Sequence, residues 1–158
     1  MNRLVLGCGY LGLRVARLWK SQGDEVYAVT RCQNNAELMK QEGIIPLIAD
    51  ITEPKSVSRL PKTDTVLFSV GMDRKKYDSV HNVYVNGLKN VLSGISEVPS
   101  QFIYISSTGV YGNFDGAWID ENSPTAPARE GGKACLAAEE ILRNGRFAAQ
   151  SCILRFAG

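Results

Sequence analysis

The sequence is short of the residues from which metal and redox centres are assembled. It has one histidine, His81, and four cysteines, Cys8, Cys32, Cys135 and Cys152, with no C-x-x-C pair among them. That scatter argues against a zinc site or a redox dithiol and fits reduced thiols in a cytosol. His81 has no serine-acid partner at a recognisable spacing and reads as a helix-surface residue. No charge of one sign is in excess: 18 lysines and arginines face 16 acidic residues, and neither sign forms a long block. Neither a nucleic acid nor an anionic membrane is therefore indicated as a partner. No apolar stretch reaches the roughly 18 residues of a membrane span. The amino terminus, MNRLVLGCGYLG, passes from a short apolar run into glycines without a cleavage signal. A cytoplasmic protein is expected. There is no internal repeat and no low-complexity segment, and 158 residues can bury one sizeable core but are too few for two full domains.

What is present is an alternation of runs rich in β-branched and aromatic residues with helical patterns. The runs are RLVL at 3–6, EVYAVT at 25–30, IIPLIA at 44–49, TVLFSV at 65–70, QFIYIS at 101–106 and SCILRF at 151–156, which predicts six short strands. Leu11, Val15, Leu18 and Trp19 recur at helical spacing before a stop at Gly23, and Val80, Tyr84, Leu88, Val91 and Leu92 do the same between the fourth and fifth runs. In a third helix, between the last two runs, the stripe Ala134, Ala138, Ile141 reads as core packing. Strands separated by helices pair in parallel through right-handed crossovers, and near-continuous apolar strands fit a sheet covered on both faces. The predicted class is α/β, a doubly wound parallel sheet. Pro46 lies inside the third run, and proline is tolerated in a sheet mainly on an edge. That fits the order 3-2-1-4-5-6, in which the third strand is an edge. Residues 110–130, rich in Gly, Pro, Asn and Asp, form a loop long enough to be functional; Trp118 within it is either a lid over a ligand or an ordinary anchor.

The first strand runs into Gly7-Cys8-Gly9-Tyr10-Leu11-Gly12, a G-x-G-x-x-G that opens a helix inside a βαβ unit. In that setting it reads as a dinucleotide turn, the plainer alternative being a tight turn alone: Gly7 permits the tight turn, Gly9 lets the backbone approach a pyrophosphate, Gly12 allows close helix packing, and the helix amino terminus favours the anion. The second strand ends in Thr30-Arg31, a hydroxyl and a guanidinium, where a carboxylate would bind the ribose of NAD. This suits a 2′-phosphate, so NADP is expected, with NAD possible. Asp50-Ile51 after the third strand is placed to reach the adenine edge, although Asp50 could equally organise the turn into Thr52-Glu53-Pro54. Ser69-Val70-Gly71 after the fourth strand is placed to pass under the nicotinamide half.

Residues 102–112 read FIYISSTGVYG, a strand that ends in three hydroxyls. With the glycine turn, Asn86-Gly87 and Asn90-Val91-Leu92 on the preceding helix, Ser106-Ser107-Thr108-Gly109-Val110-Tyr111-Gly112 at this tip and Asp120-Glu121-Asn122-Ser123-Pro124 beyond it, the chain resembles the extended short-chain dehydrogenase/reductases, the NAD-dependent epimerase/dehydratase group. The resemblance implies a Rossmann fold and an oxidoreductase or epimerase acting on a sugar-nucleotide or small carbonyl substrate. It makes Ser107, with Thr108 beside it, the candidate catalytic hydroxyl, which would hydrogen-bond a substrate carbonyl or alcohol; the plainer reading is that the hydroxyls cap the strand end. The family's Tyr-x-x-x-Lys pair is missing. Counting four on from Pro127, or eight back from Glu139, places the tyrosine position at Gly131 and the lysine position at Cys135; Lys133 lies on another helix face, and Tyr111 is the family's own V-Y-G tyrosine. The glycine turn is also one residue shorter than the family's, and the carboxy-terminal substrate lobe is absent after Gly158. These departures resemble the atypical, YeeZ-like branch. Residues 1–158 are expected to be an NAD(P)-binding Rossmann domain, the amino-terminal part of a longer protein, with a small-molecule substrate and possible homodimerisation. Two readings stand: an NADP-dependent enzyme, and an NADP-sensing binding module that has lost its chemistry.

Overall fold

The apolar runs become strands because alternate residues can be buried on opposite faces of one sheet. The computed structural model of the protein describes residues 1–73, 75–77, 79–112 and 116–157. Among these, β1 (Asn2–Leu6), β2 (Glu25–Thr30), β3 (Ile45–Ile48), β4 (Thr65–Phe68), β5 (Gln101–Ser107) and β6 (Ser151–Phe156) form one sheet in the order β3-β2-β1-β4-β5-β6, with every pairing parallel. The helices are α1 (Tyr10–Ser21), α2 (Gln33–Gln41), α3 (Gly87–Gly94) and α4 (Glu130–Asn144), with a π-helical turn at Asn82–Asn86 leading into α3. Pro46 sits in the edge strand β3, opposite Ala28. The loop at 110–130 is described except for residues 113–115, and Gly158 also lies outside the described residues.

Strand alternation divides the core. Leu4, Leu6, Val66, Phe68, Phe102 and Tyr104 face α3 and α4, meeting Leu88, Val91, Ala138, Leu142 and Phe147. Val5, Val26, Ala28 and Leu67 face α1 and α2, meeting Ala16 and Met39. The inner face of α1 differs from the expected one: Gly12 and Ala16 are buried, with Val15 and Trp19 packed beside them, while Leu18 is 55% exposed. At 100° per residue Leu18 falls well off the line through Gly12, Ala16 and Trp19, which is the line narrow enough to lie against β1. In α4 the buried stripe holds Ala134 and Ala138 as expected, together with Cys135, Glu139 and Leu142, and Ile141 lies at its margin.

Register sets what the sheet presents at its carboxyl edge. Leu6 is level with Val29 and with Phe68, so Gly7, Thr30 and Ser69 lie side by side at that edge. By contrast β5 outruns β4: Tyr104 is level with Phe68, the last residue of β4, whereas Ser106 and Ser107 pair only with Arg155 and Phe156 of β6.

Candidate functional site

The chain reverses from β1 into α1 through the glycine turn, and each glycine there has a different reason. Gly7 has φ +86°, a left-handed conformation that disfavours a side chain, and a Cβ on it would lie 2.5 Å from the Ser69 carbonyl oxygen. A Cβ on Gly12 would lie 2.3 Å from the Gly7 carbonyl oxygen, so this glycine lets α1 press against the turn. A Cβ on Gly9 would meet nothing within 4 Å. The turn is pinned from β4, where the Ser69 backbone N–H donates to the Leu6 carbonyl at 2.8 Å and Ser69 Oγ donates to the Gly7 carbonyl at 3.0 Å. Gly9 caps α1 without a side-chain cap, and the first turn carries no acidic residue.

A cleft of about 750 Å³ opens over this turn, between the tips of β1, β2, β3 and β4. Gly7, Gly9, Tyr10, Leu11, Thr30, Arg31, Asp50, Ile51, Ser69, Val70 and Gly71 all line it; Gly12 is packed behind the turn. Several of these side chains also hold the walls in shape. Thr30 Oγ1 accepts the Cys32 backbone N–H at 3.2 Å. Asp50 Oδ1 accepts from the Thr52 backbone N–H at 3.0 Å and from Thr52 Oγ1 at 2.8 Å, which is the turn-organising arrangement. Its Oδ2 accepts from Lys76 Nζ at 2.8 Å and from the Tyr77 hydroxyl. Burial alone would raise the Asp50 carboxyl; the hydrogen bonds from Lys76, Tyr77 and Thr52 outweigh it and hold the group well below the usual carboxylate range. Burial pushes the Cys8 thiol in the turn up to about 11, so it is protonated and inert at neutral pH.

Sequence reasoning missed the residues that cross from β4 to cover the far end of this cleft. Met72, Asp73, Lys76 and Tyr77 line it, as do Cys8, Cys32 and Asn35. Arg31 Nη2 donates to Asp73 Oδ2 at 3.1 Å, and the Arg31 guanidinium stands 5.1 Å from the centroid of the Tyr77 ring. The signal was there: GMDRKKY at 71–77 is a charged run at the carboxyl end of a parallel strand, where ligands of open α/β sheets sit.

The hydroxyls at the tip of β5 are placed differently. Ser106 is buried and donates to Glu139 Oε1 at 2.6 Å. Glu139, also fully buried, accepts from Arg155 Nε at 3.0 Å on Oε1 and from Arg155 Nη2 at 2.7 Å on Oε2. Ser107 Oγ accepts the Gly109 backbone N–H at 3.0 Å, capping the short 3-10 turn Thr108–Val110. Neither Ser107 nor Thr108 lines the main cleft. Thr108 belongs to a separate pocket of about 380 Å³ with Tyr111, Arg143, Arg155 and Phe156. In α4, Gly131 has open space around it, and Cys135 is buried against Val110 and Tyr111. Lys133 is exposed and pairs with Glu130 at 2.9 Å; His81 is exposed as expected, and Trp118 is fully exposed, so it neither covers the cleft nor anchors its loop. All four cysteines are free thiols. Among the described residues no helix is long and apolar enough to cross a membrane.

A family model described as the NAD dependent epimerase/dehydratase family matches residues 3–157. A candidate NAD-dependent epimerase/dehydratase from Methylobacillus flagellatus is 31% identical, with a TM-score of 0.77 over 99% of this chain and 54% of its own. A short-chain dehydrogenase/reductase superfamily protein from Agrobacterium tumefaciens, solved with bound NAD, is 21% identical, with a TM-score of 0.78 over 99% of this chain and 49% of its own. A UDP-glucose 4-epimerase from Bifidobacterium longum, solved with NAD+ and UDP, is 20% identical, with a TM-score of 0.78 over 98% of this chain and 52% of its own. The last two are likenesses of fold. The chain spans about half the length of these solved structures, and no curated protein matches it.

Proposed function

The chain belongs to the NAD-dependent epimerase/dehydratase family, and on that premise we propose that its cleft holds a nicotinamide dinucleotide and serves an oxidoreductase or epimerase acting on a sugar-nucleotide or small carbonyl substrate. The observation that carries this reading is the contrast among the three glycines. Gly7 and Gly12 are filled in by the protein itself, while the space a Cβ would take at Gly9 is open and faces the cleft. That is a cradle shaped for something to lie against the backbone, at the amino terminus of a helix that favours an anion.

In this reading the turn and α1 hold the pyrophosphate. Thr30 and Arg31 meet the adenosine ribose, and Arg31 favours NADP over NAD because a guanidinium pairs with a 2′-phosphate. Hydride transfer at the nicotinamide is the cofactor's own chemistry. Ser107 orients the substrate oxygen; its Oγ already accepts from Gly109, which leaves its proton to donate. A second reading, a dinucleotide-sensing module, is favoured by one feature: in α4 the counted positions of the family's proton-transferring pair hold Gly131 and the buried Cys135. Incubation with a panel of sugar-nucleotides and small carbonyls separates the two, read both by loss of reduced-nicotinamide absorbance and by chromatographic analysis of products, since an epimerase returns the hydride and leaves the absorbance unchanged. Turnover that Ser107→Ala lowers by about 10²-fold or more supports the enzyme, turnover indifferent to that change removes Ser107 from the mechanism, and binding without turnover on any substrate favours the sensor.

A further inference from the structure

We propose that Asp73 sets the cofactor preference of the cleft by competing with a 2′-phosphate for the Arg31 guanidinium. The inference rests on the dinucleotide reading above and adds a residue from a segment that leaves a different strand. Arg31 follows β2, whereas Asp73 follows β4, on the far side of β1. The segment crosses because both its ends are tied to the opposite wall. Asp73 Oδ2 accepts from Arg31 at 3.1 Å, and Lys76 and Tyr77 donate to Asp50 just past β3. Arg31, Asp50, Asp73, Lys76 and Tyr77 all line the same cleft.

Asp73 does two separable things. Its Oδ1 accepts the Lys75 backbone N–H at 3.1 Å, closing an Asx turn, and its carbonyl oxygen accepts from the backbone N–H groups of Lys76 and Tyr77. The turn needs only an oxygen acceptor, which asparagine supplies. The pair with Arg31 needs the charge. The two side chains are 36% and 41% exposed, so water screens the pair and it contributes little by itself. A phosphate dianion makes stronger charge-assisted bonds to a guanidinium and takes Arg31, but it then lies beside the displaced carboxylate and is repelled by it. A ribose 2′-hydroxyl asks for no such exchange. Lys76, held by Asp50, does not compensate. Asp73 therefore narrows the gap between the phosphorylated and unphosphorylated cofactors that Arg31 alone would open.

Calorimetric titration with adenosine 2′,5′-bisphosphate and with 5′-AMP tests this without a substrate or a turnover assay. D73N is expected to tighten the bisphosphate about three- to tenfold and to leave 5′-AMP within about twofold, with Asp73→Ser behaving alike. The gain should shrink when Arg31→Ala is added, because only the direct repulsion between carboxylate and phosphate is then left to relieve. If both ligands bind and D73N leaves their ratio unchanged, or if the gain is undiminished by Arg31→Ala, the role of Asp73 is overturned while the dinucleotide reading stands. If neither ligand binds the parent protein, both fall together.

Discussion

Gly131 and Gly132 are neighbours in the first turn of α4, yet a methyl group added to each meets different surroundings. At Gly131 it would touch nothing within 4 Å; at Gly132 it would lie 2.3 Å from the Gly109 carbonyl oxygen and 3.0 Å from Pro127 Cβ. Gly132 is thus where the helix bears on the loop after β5. Gly132→Ala should destabilise the protein by about 1–3 kcal/mol through overpacking, whereas Gly131→Ala should be neutral or stabilise by up to about 1 kcal/mol. Urea unfolding midpoints decide the matter, and equal shifts in the two variants would remove this contact from the account. At this scale the glycine turn was readable, because its spacing encodes which backbone atoms must approach one another. Asp73 was not. Its partner Arg31 lies 42 positions away, and no local pattern marks two residues that meet only because their strands flank β1.

The element that ties the β5 tip to the rest of the molecule is α4, through a fully buried carboxylate. Glu139 receives hydrogen bonds from Ser106, twice from Arg155, whose side chain is only 10% exposed, and at 3.4 Å from the more exposed Arg143. Burial by itself raises this carboxyl; the bonds from Arg155 and Ser106 outweigh burial and hold it below its ordinary value. The folded protein therefore binds that proton less readily than the unfolded chain. Glu139 adds its full stability above the ordinary glutamate value of 4.5 and loses it as pH falls through that value toward the folded one. Glu139→Gln leaves Arg155 buried without a counter-charge, so chemical denaturation near pH 7 should show a loss of about 3 kcal/mol, and the acid side of the stability profile should flatten. A profile identical to the parent's would mean that the pair is solvated. Here the sequence was half legible. Three hydroxyls at a strand end were visible, but Ser106 turns inward and Ser107 caps a turn, a division set by a helix 33 positions later. Helix α2, QNNAELMKQ, carries few apolar residues and buries only Ala36 and Met39.

For the molecule as a whole, the sheet order was legible from the alternation of runs and from a proline that only an edge strand accepts, and Pro46 does lie in β3. The cleft follows from that order: β1 and β4 diverge in their connections, one turning into α1 and the other leading to Met72, Asp73, Lys76 and Tyr77, and residues of both connections line the space between. The least legible part was this crossing segment, since it is held by contacts to the ends of two other strands. The central claim is that the dinucleotide lies against the backbone at Gly9. A side chain added at Gly9 meets no protein atom within 4 Å, so Gly9→Val should fold while filling the cradle. The decisive measurement is calorimetric titration of NADPH and NADH into the parent and Gly9→Val proteins, with circular dichroism as the control. The account predicts binding by the parent and none by the variant at an unchanged spectrum; equal affinities in the two proteins would contradict it and put the phosphates elsewhere.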